Sequence, residues 1–179
     1  MTIIAFDGKN VCIDEQLNSN DIVSAGVKYR ISKKGELLSF TGSSDLGTAK
    51  MIWFDSGARK KSFPKGIEGQ DDPDTADMVV FPLRGNVFVY YQQPTPVQEP
   101  GVPSAWGAGA ATAMGAMLAG KTAMEAIEIV FSVNSSCGVG YVTFSQDAFG
   151  KWTLVSRKKC TMTFNEVKEE KQTSRKKKK

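Results

Sequence analysis

The chain has 179 residues, 41% of them hydrophobic, which suits one domain with a sizeable core. It contains no histidine, and its three cysteines at 12, 137 and 160 are scattered and odd in number, so reduced thiols are expected and neither a disulfide framework nor a zinc site is. No apolar run reaches the length of a membrane span and the start lacks a basic segment leading into a signal core, so a cytoplasmic protein without membrane contact is expected.

The chain opens Thr2-Ile3-Ile4-Ala5-Phe6 as a short strand, turns at Asp7-Gly8, and continues in Val11-Cys12-Ile13-Asp14 as a second. Paired as a hairpin, these two strands return Asp14 to the side of the N-terminus. Gly26 to Ile31 reads as the next strand, with Lys28 near its head, and Glu36 to Thr41 follows the Lys33-Lys34-Gly35 turn as another. Gly42-Ser43-Ser44 leads into a helix from Asp45 to Phe54, ended by Gly57. Residues 60–75, rich in Gly, Pro and Asp, read as a loop. Met78 to Leu83 and Val87 to Tyr91 form a hairpin through Arg84-Gly85-Asn86, and Pro94, Pro96, Pro100 and Pro103 mark an extended connection.

Ala110 to Ala119 suits a helix stopped by Gly120. The next helix begins on Thr122-Ala123-Met124-Glu125, a capping box, and runs to about Val133. Val139 to Phe144 and Trp152 to Ser156 make a last hairpin around Asp147-Ala148-Phe149-Gly150. Strands, helix, strands, two helices and strands give an α+β order. From Glu166 onward, seven Lys or Arg against three Glu give +4, the whole net charge of the chain. The segment is too polar to pack, so the domain is taken as residues 1–164 and residues 165–179 as a disordered basic tail. With a neutral body and no aromatic residues in the tail, non-specific phosphate attraction is the most that tail supports with nucleic acid.

Without histidine, a hydrolase of this sequence needs a base other than imidazole. Methionine is readily trimmed before a small residue such as Thr2, and trimming would leave Thr2 with a free α-amine beside its own hydroxyl. A threonine hydroxyl is inert until a neighbour takes its proton, and an α-amine titrating near ~8 can do this at neutral pH. A lysine nearby would ease alkoxide formation and an aspartate would orient that lysine. The bland readings are a second residue of no consequence for Thr2, a turn residue for Asp14 and a solvated charge for Lys28. Cys12 reads as core, and Cys137 as packed, since no histidine exists to activate it.

Thr2, Asp14 at the end of a strand and Lys28 at the head of the next together resemble the N-terminal nucleophile peptidases of the proteasome β-subunit and HslV type. Ala105-Trp106-Gly107-Ala108-Gly109, followed by Ala113-Met114-Gly115-Ala116-Met117, Gly120 and Ala123, is similar to that family's glycine-rich turn and helix pair. Ser136-Cys137-Gly138 and the strand from Val139 to Phe144 resemble the block that closes its site. The resemblance spans residues 2 to 155 and is nearest to the small bacterial and phage-encoded members. It implies a four-layer αββα sandwich and a threonine-type endopeptidase needing no cofactor or metal. Thr2, Asp14 and Lys28 would be catalytic, supported by Gly107, Ala108, Gly109, Asn134 and Cys137. It also implies a ring-shaped homo-oligomer acting on peptides or unfolded proteins, with an unfolding ATPase as a further partner, in a bacterial cell or phage-infected host.

The pattern departs from the family at four positions. Ala108 stands where a serine is usual, Asn134 where an aspartate is, Cys137 where a serine or small polar residue is, and Val139 replaces a common glycine. Loss of a hydroxyl and a carboxylate from the shell around the amine would slow the reaction by ~10²-fold or more. The alternative is therefore a catalytically weak or inactive proteasome-like scaffold, of phage origin.

Overall fold

The computed structural model describes residues 2–19, 22–66, 75–99, 101–134 and 138–160. The basic tail, Met1 and Cys137 lie outside the described residues. The fold is α+β, with three sheets and three α-helices among the described residues.

The first sheet has the order β10-β1-β2-β11-β12, with β1 Ile3–Phe6, β2 Asn10–Asp14, β10 Ser104–Gly107, β11 Gly140–Gln146 and β12 Trp152–Lys159. The second has the order β5-β6-β7-β8-β9, with β5 Tyr29–Ile31, β6 Leu37–Gly42, β7 Ala76–Phe81, β8 Phe88–Tyr90 and β9 Val97–Gln98. Between β2 and β5 the chain makes a separate two-stranded ribbon, β3 Gln16–Ser19 and β4 Ile22–Ala25. The helices are α1 Ser44–Asp55, α2 Ala110–Leu118 and α3 Ala123–Val133.

Alternation along β1 divides the core. Ile4 and Phe6 join Val11 and Ile13 of β2, Leu37 of β6, Val79 and Phe81 of β7, and Trp152 in a cluster that draws on both large sheets. Ile3 and Ala5, pointing the other way, pack with Cys12 and Tyr141 against Ala113, Ala126, Ile127 and Val130 of α2 and α3. A third cluster packs Leu38, Phe40, Met78 and Val80 of the second sheet against Met51 and Trp53 of α1. Both large sheets are thus buried on two faces, so their inner strands read as near-continuous apolar runs.

Hydrogen bonding explains the boundaries. The Asp7 carboxylate accepts the N–H groups of Lys9 and Asn10, closing the β1–β2 turn, and also that of Ala123, which fixes the start of α3 to that turn. Those contacts hold its pKa below the ordinary value against the opposing effect of burial. The capping box at Thr122 and Glu125 forms as expected from the sequence. On α1, Lys50 is buried and donates to the carbonyls of Ala76 and Tyr91, tying the helix to the start of β7 and the chain after β8. Desolvation lowers its pKa to about 8, opposed by the charge of Asp77.

The structure differs from the sequence reading in several places. Residues 105–107 are strand rather than turn, because β10 pairs along the whole of β1 from Phe6↔Ser104 to Ile3↔Gly107. The strand placed at 26–31 is confined to Tyr29–Ile31, leaving Lys28 just ahead of it. The β3–β4 ribbon was not expected, since Gln16, Asn18 and Ser24 interrupt any apolar pattern there.

Candidate functional site

The first strand is held at its start by an unusually close approach. The Ala108 N–H donates to the Thr2 carbonyl at 3.0 Å, and Gly107 beside it has φ +96°. A Cβ on Gly107 would stand 1.9 Å from the Thr2 carbonyl oxygen and 3.2 Å from Cγ2 of Thr41 on β6. Only glycine fits, on both conformational and steric grounds. The same contact places Thr41, and so the end of β6, against the start of β1. Thr2 is 2% exposed, and its hydroxyl has no hydrogen-bond partner among the described residues. A buried hydroxyl in that state costs ~1–3 kcal/mol, so it calls for a physical account.

Asp14 ends β2, and the β1–β2 register of Ile4↔Ile13 brings Ile3 opposite Asp14 when carried one step further. The Asp14 carboxylate accepts Lys28 Nζ at 3.1 Å, the Gln16 N–H at 3.1 Å, and the N–H of Gly138. Asp14 and Lys28 are 0% and 1% exposed at their side chains. Burial raises the Asp14 pKa, while the Lys28 charge and the N–H donors act against that rise. On the far side of Lys28, its carbonyl accepts the Ser39 hydroxyl of β6 at 2.8 Å. The ion pair therefore joins the end of β2 to a residue anchored on the second sheet.

Ser39 and Thr41 were not singled out in the sequence. Both lie on the β6 face that carries Leu37 toward the first sheet, and both are buried. A serine and a threonine alternating with Leu38 and Phe40 look like the solvated face of an amphipathic strand, which hides their role. Past Thr41 the chain passes through Gly42, at φ +90°, into α1, whose first amides at Ser44, Asp45 and Leu46 have no intrahelical acceptor.

The remaining expected residues are spread around this centre. Ala108 is exposed, and its amide is occupied by Thr2. Gly109 is the N-cap of α2, pressed so closely on Val130 of α3 that a Cβ would meet Cγ1 at 2.4 Å. Asn134 is the half-buried C-cap of α3, its N–H bonded to the Val130 carbonyl at 2.8 Å. Cys137 belongs to the segment outside the described residues, but Gly138 next to it donates to Asp14, so the chain after α3 returns to the ion pair. Cys12 is buried and shares a 3.4 Å contact with Thr143, and desolvation pushes its thiol up to about 12, in keeping with a core role. No group of three or more His, Cys, Asp or Glu that could hold a metal occurs among the described residues. The sequence matches no model of a known protein family and no curated protein.

The buried pair gives a direct test. Asp14→Asn and Lys28→Met each strand a charge or its partners, and each should cost ~3–5 kcal/mol in denaturant unfolding. The double variant should cost less than the sum by at least ~1 kcal/mol, since both changes remove one interaction. Additive losses would show that the two side chains do not act as a pair.

Proposed function

We propose that the protein is a threonine-type endopeptidase whose nucleophile is Thr2, freed by removal of Met1. The observation that carries this reading is the buried Thr2 hydroxyl, which has no hydrogen-bond partner among the described residues, at the strand end that adjoins Asp14. Further support comes from the layering of the three apolar clusters, which fits a four-layer αββα sandwich of the N-terminal nucleophile kind.

The trimmed α-amine takes the hydroxyl proton as Thr2 Oγ attacks a peptide carbonyl. Lys28 favours the developing alkoxide and keeps the amine neutral by like-charge repulsion, and Asp14 fixes Lys28 in place. Main-chain amides stabilise the tetrahedral oxyanion, from Gly107 and Gly109 beside Thr2 and from the first turn of α1; the Ala108 amide instead positions the Thr2 carbonyl. The protonated amine then gives its proton to the leaving amine, and water hydrolyses the ester left on Thr2. The same family reading assigns a ring-shaped homo-oligomer that admits peptides or unfolded chains, fed where needed by an unfolding ATPase.

Intact mass of untagged protein should show Met1 absent, and a peptide boronate or epoxyketone should modify the wild type but not Thr2→Ala. Stoichiometric labelling of Thr2→Ala would remove Thr2 as the nucleophile. Assembly is checked separately by sedimentation at micromolar concentration. A multi-subunit ring is expected there, and a strict monomer would rule out a closed chamber.

The second reading, a scaffold with little or no catalysis, rests on Ala108 and Asn134, which lack the hydroxyl and the carboxylate of the family pattern. Ala108→Ser adds one oxygen at an exposed position next to Thr2 and should raise the rate of Thr2 labelling several-fold, with a further coupled gain from Asn134→Asp. Correctly trimmed protein that stays unreactive with both changes would favour the scaffold.

A further inference from the structure

The register of the first sheet sets a row of residues leading away from Thr2. The β1–β2 ladder ends at Ile4↔Ile13, and its register carried two steps further sets Thr2 in line with Glu15. The Glu15 N–H donates to the Gly140 carbonyl at 2.9 Å, and Gly140 pairs with Lys159. Three inter-strand steps of ~4.8 Å put the Lys159 backbone ~14 Å from that of Thr2.

The side chains of this row share one face. Ile4 and Ile13 contribute to the cluster between the large sheets, so Thr2 and Glu15, each two residues along, project to the same side. Val142 of that cluster pairs with Arg157, which places Arg157 and then Lys159 on that side too. Lys158 points the other way, to Glu128 of α3 at 2.6 Å. A cleft of about 400 Å³ opens at the part of the row remote from Thr2, lined by Glu15, Val27, Val139, Arg157, Lys159 and Cys160.

The charges in the cleft do not balance. Arg157 is held by Glu15 at 3.0 Å and by the Tyr29 hydroxyl at 2.8 Å, so those two charges neutralise each other. Lys159 is exposed and adds a cation at the end of the row remote from Thr2. Val27 and Val139 supply apolar walls. A glutamate side chain can lay its methylenes on the valines and carry its carboxylate to Lys159.

Resting on the peptidase reading, we infer that this cleft is a substrate subsite that selects an acidic peptide side chain roughly three or four extended residues from the scissile bond. The preference is set by Lys159. The Glu15–Arg157 pair lines it without adding net charge.

The test uses full-length Thr2→Ala protein, which cannot consume its ligand, and fluorescein-labelled alanine octapeptides carrying one Glu, Gln or Lys moved through every position. At one position Glu should bind about three- to fivefold tighter than Gln, the range of an exposed ion pair, and Lys weaker still. Added salt should shrink the difference. Lys159→Gln should level the series, and Lys159→Glu should invert it in favour of the Lys peptide. The Glu peptide should also slow iodoacetamide modification of Cys160, read by peptide mapping.

A Glu preference unaffected by either change at Lys159 would overturn the subsite, as would failure of every peptide to bind. Glu-selective binding that follows Lys159, in a protein whose Thr2 neither labels nor cleaves, would uphold the subsite and overturn the peptidase.

Discussion

Much of the candidate site depends on the ion pair between Asp14 and Lys28, because it ties the end of β2 to a residue whose main chain Ser39 anchors on the second sheet. Transferring two charges out of water costs several kcal/mol each, and their attraction repays this only when geometry is good and remaining valences are filled. Those of Asp14 are filled by the Gln16 and Gly138 amides besides Lys28, and Ser39 secures the main chain of Lys28. An apolar pair of similar volume would serve stability as well or better. The charges are therefore better explained by what they do to a neighbour than by what they add to the core, and the neighbour at that end of β2 is the start of β1.

The space between the sheets changes character along its length. At one end Phe6, Phe81, Trp106 and Trp152 pack edge to face at centroid distances of 5.3–6.3 Å. At the other, Thr2, Ser39 and Thr41 are buried polar residues. A core would ordinarily be apolar throughout, so the polar end must be maintained by local geometry. Gly107 supplies it, since any side chain there would collide with the Thr2 carbonyl. The aromatic end fixes the sheets while the polar end holds its side chains in water-poor surroundings, where electrostatic effects are strong.

Much of this was legible in the sequence, and the exceptions share a cause. Helices α1, α2 and α3 announced themselves through Gly57, Gly120 and the Thr122 capping box, which are local signals with local effects. Asp14 and Lys28 were found from their spacing to Thr2, and they do meet. The β10 strand was hidden because its pairing partner lies about a hundred residues earlier, so nothing nearby distinguishes Ser104–Gly107 from a turn. Ser39 and Thr41 were hidden for a related reason. Their burial comes from a sheet stacked above them, and alternation alone reads as exposure to water.

The position of Thr2 follows from the same long-range pairings, and this bears on what its hydroxyl is for. The residue is pinned on one side by Ala108, and its strand is paired on the other through Ile4 and Ile13, so its main chain has little freedom to carry the hydroxyl toward a partner. A threonine in that setting could be replaced by valine at no cost in hydrogen bonds among the described residues, and with some gain in desolvation. A buried hydroxyl with no hydrogen-bond partner among the described residues is a poor choice for stability. It is a good one for a group that must bond to something arriving from outside.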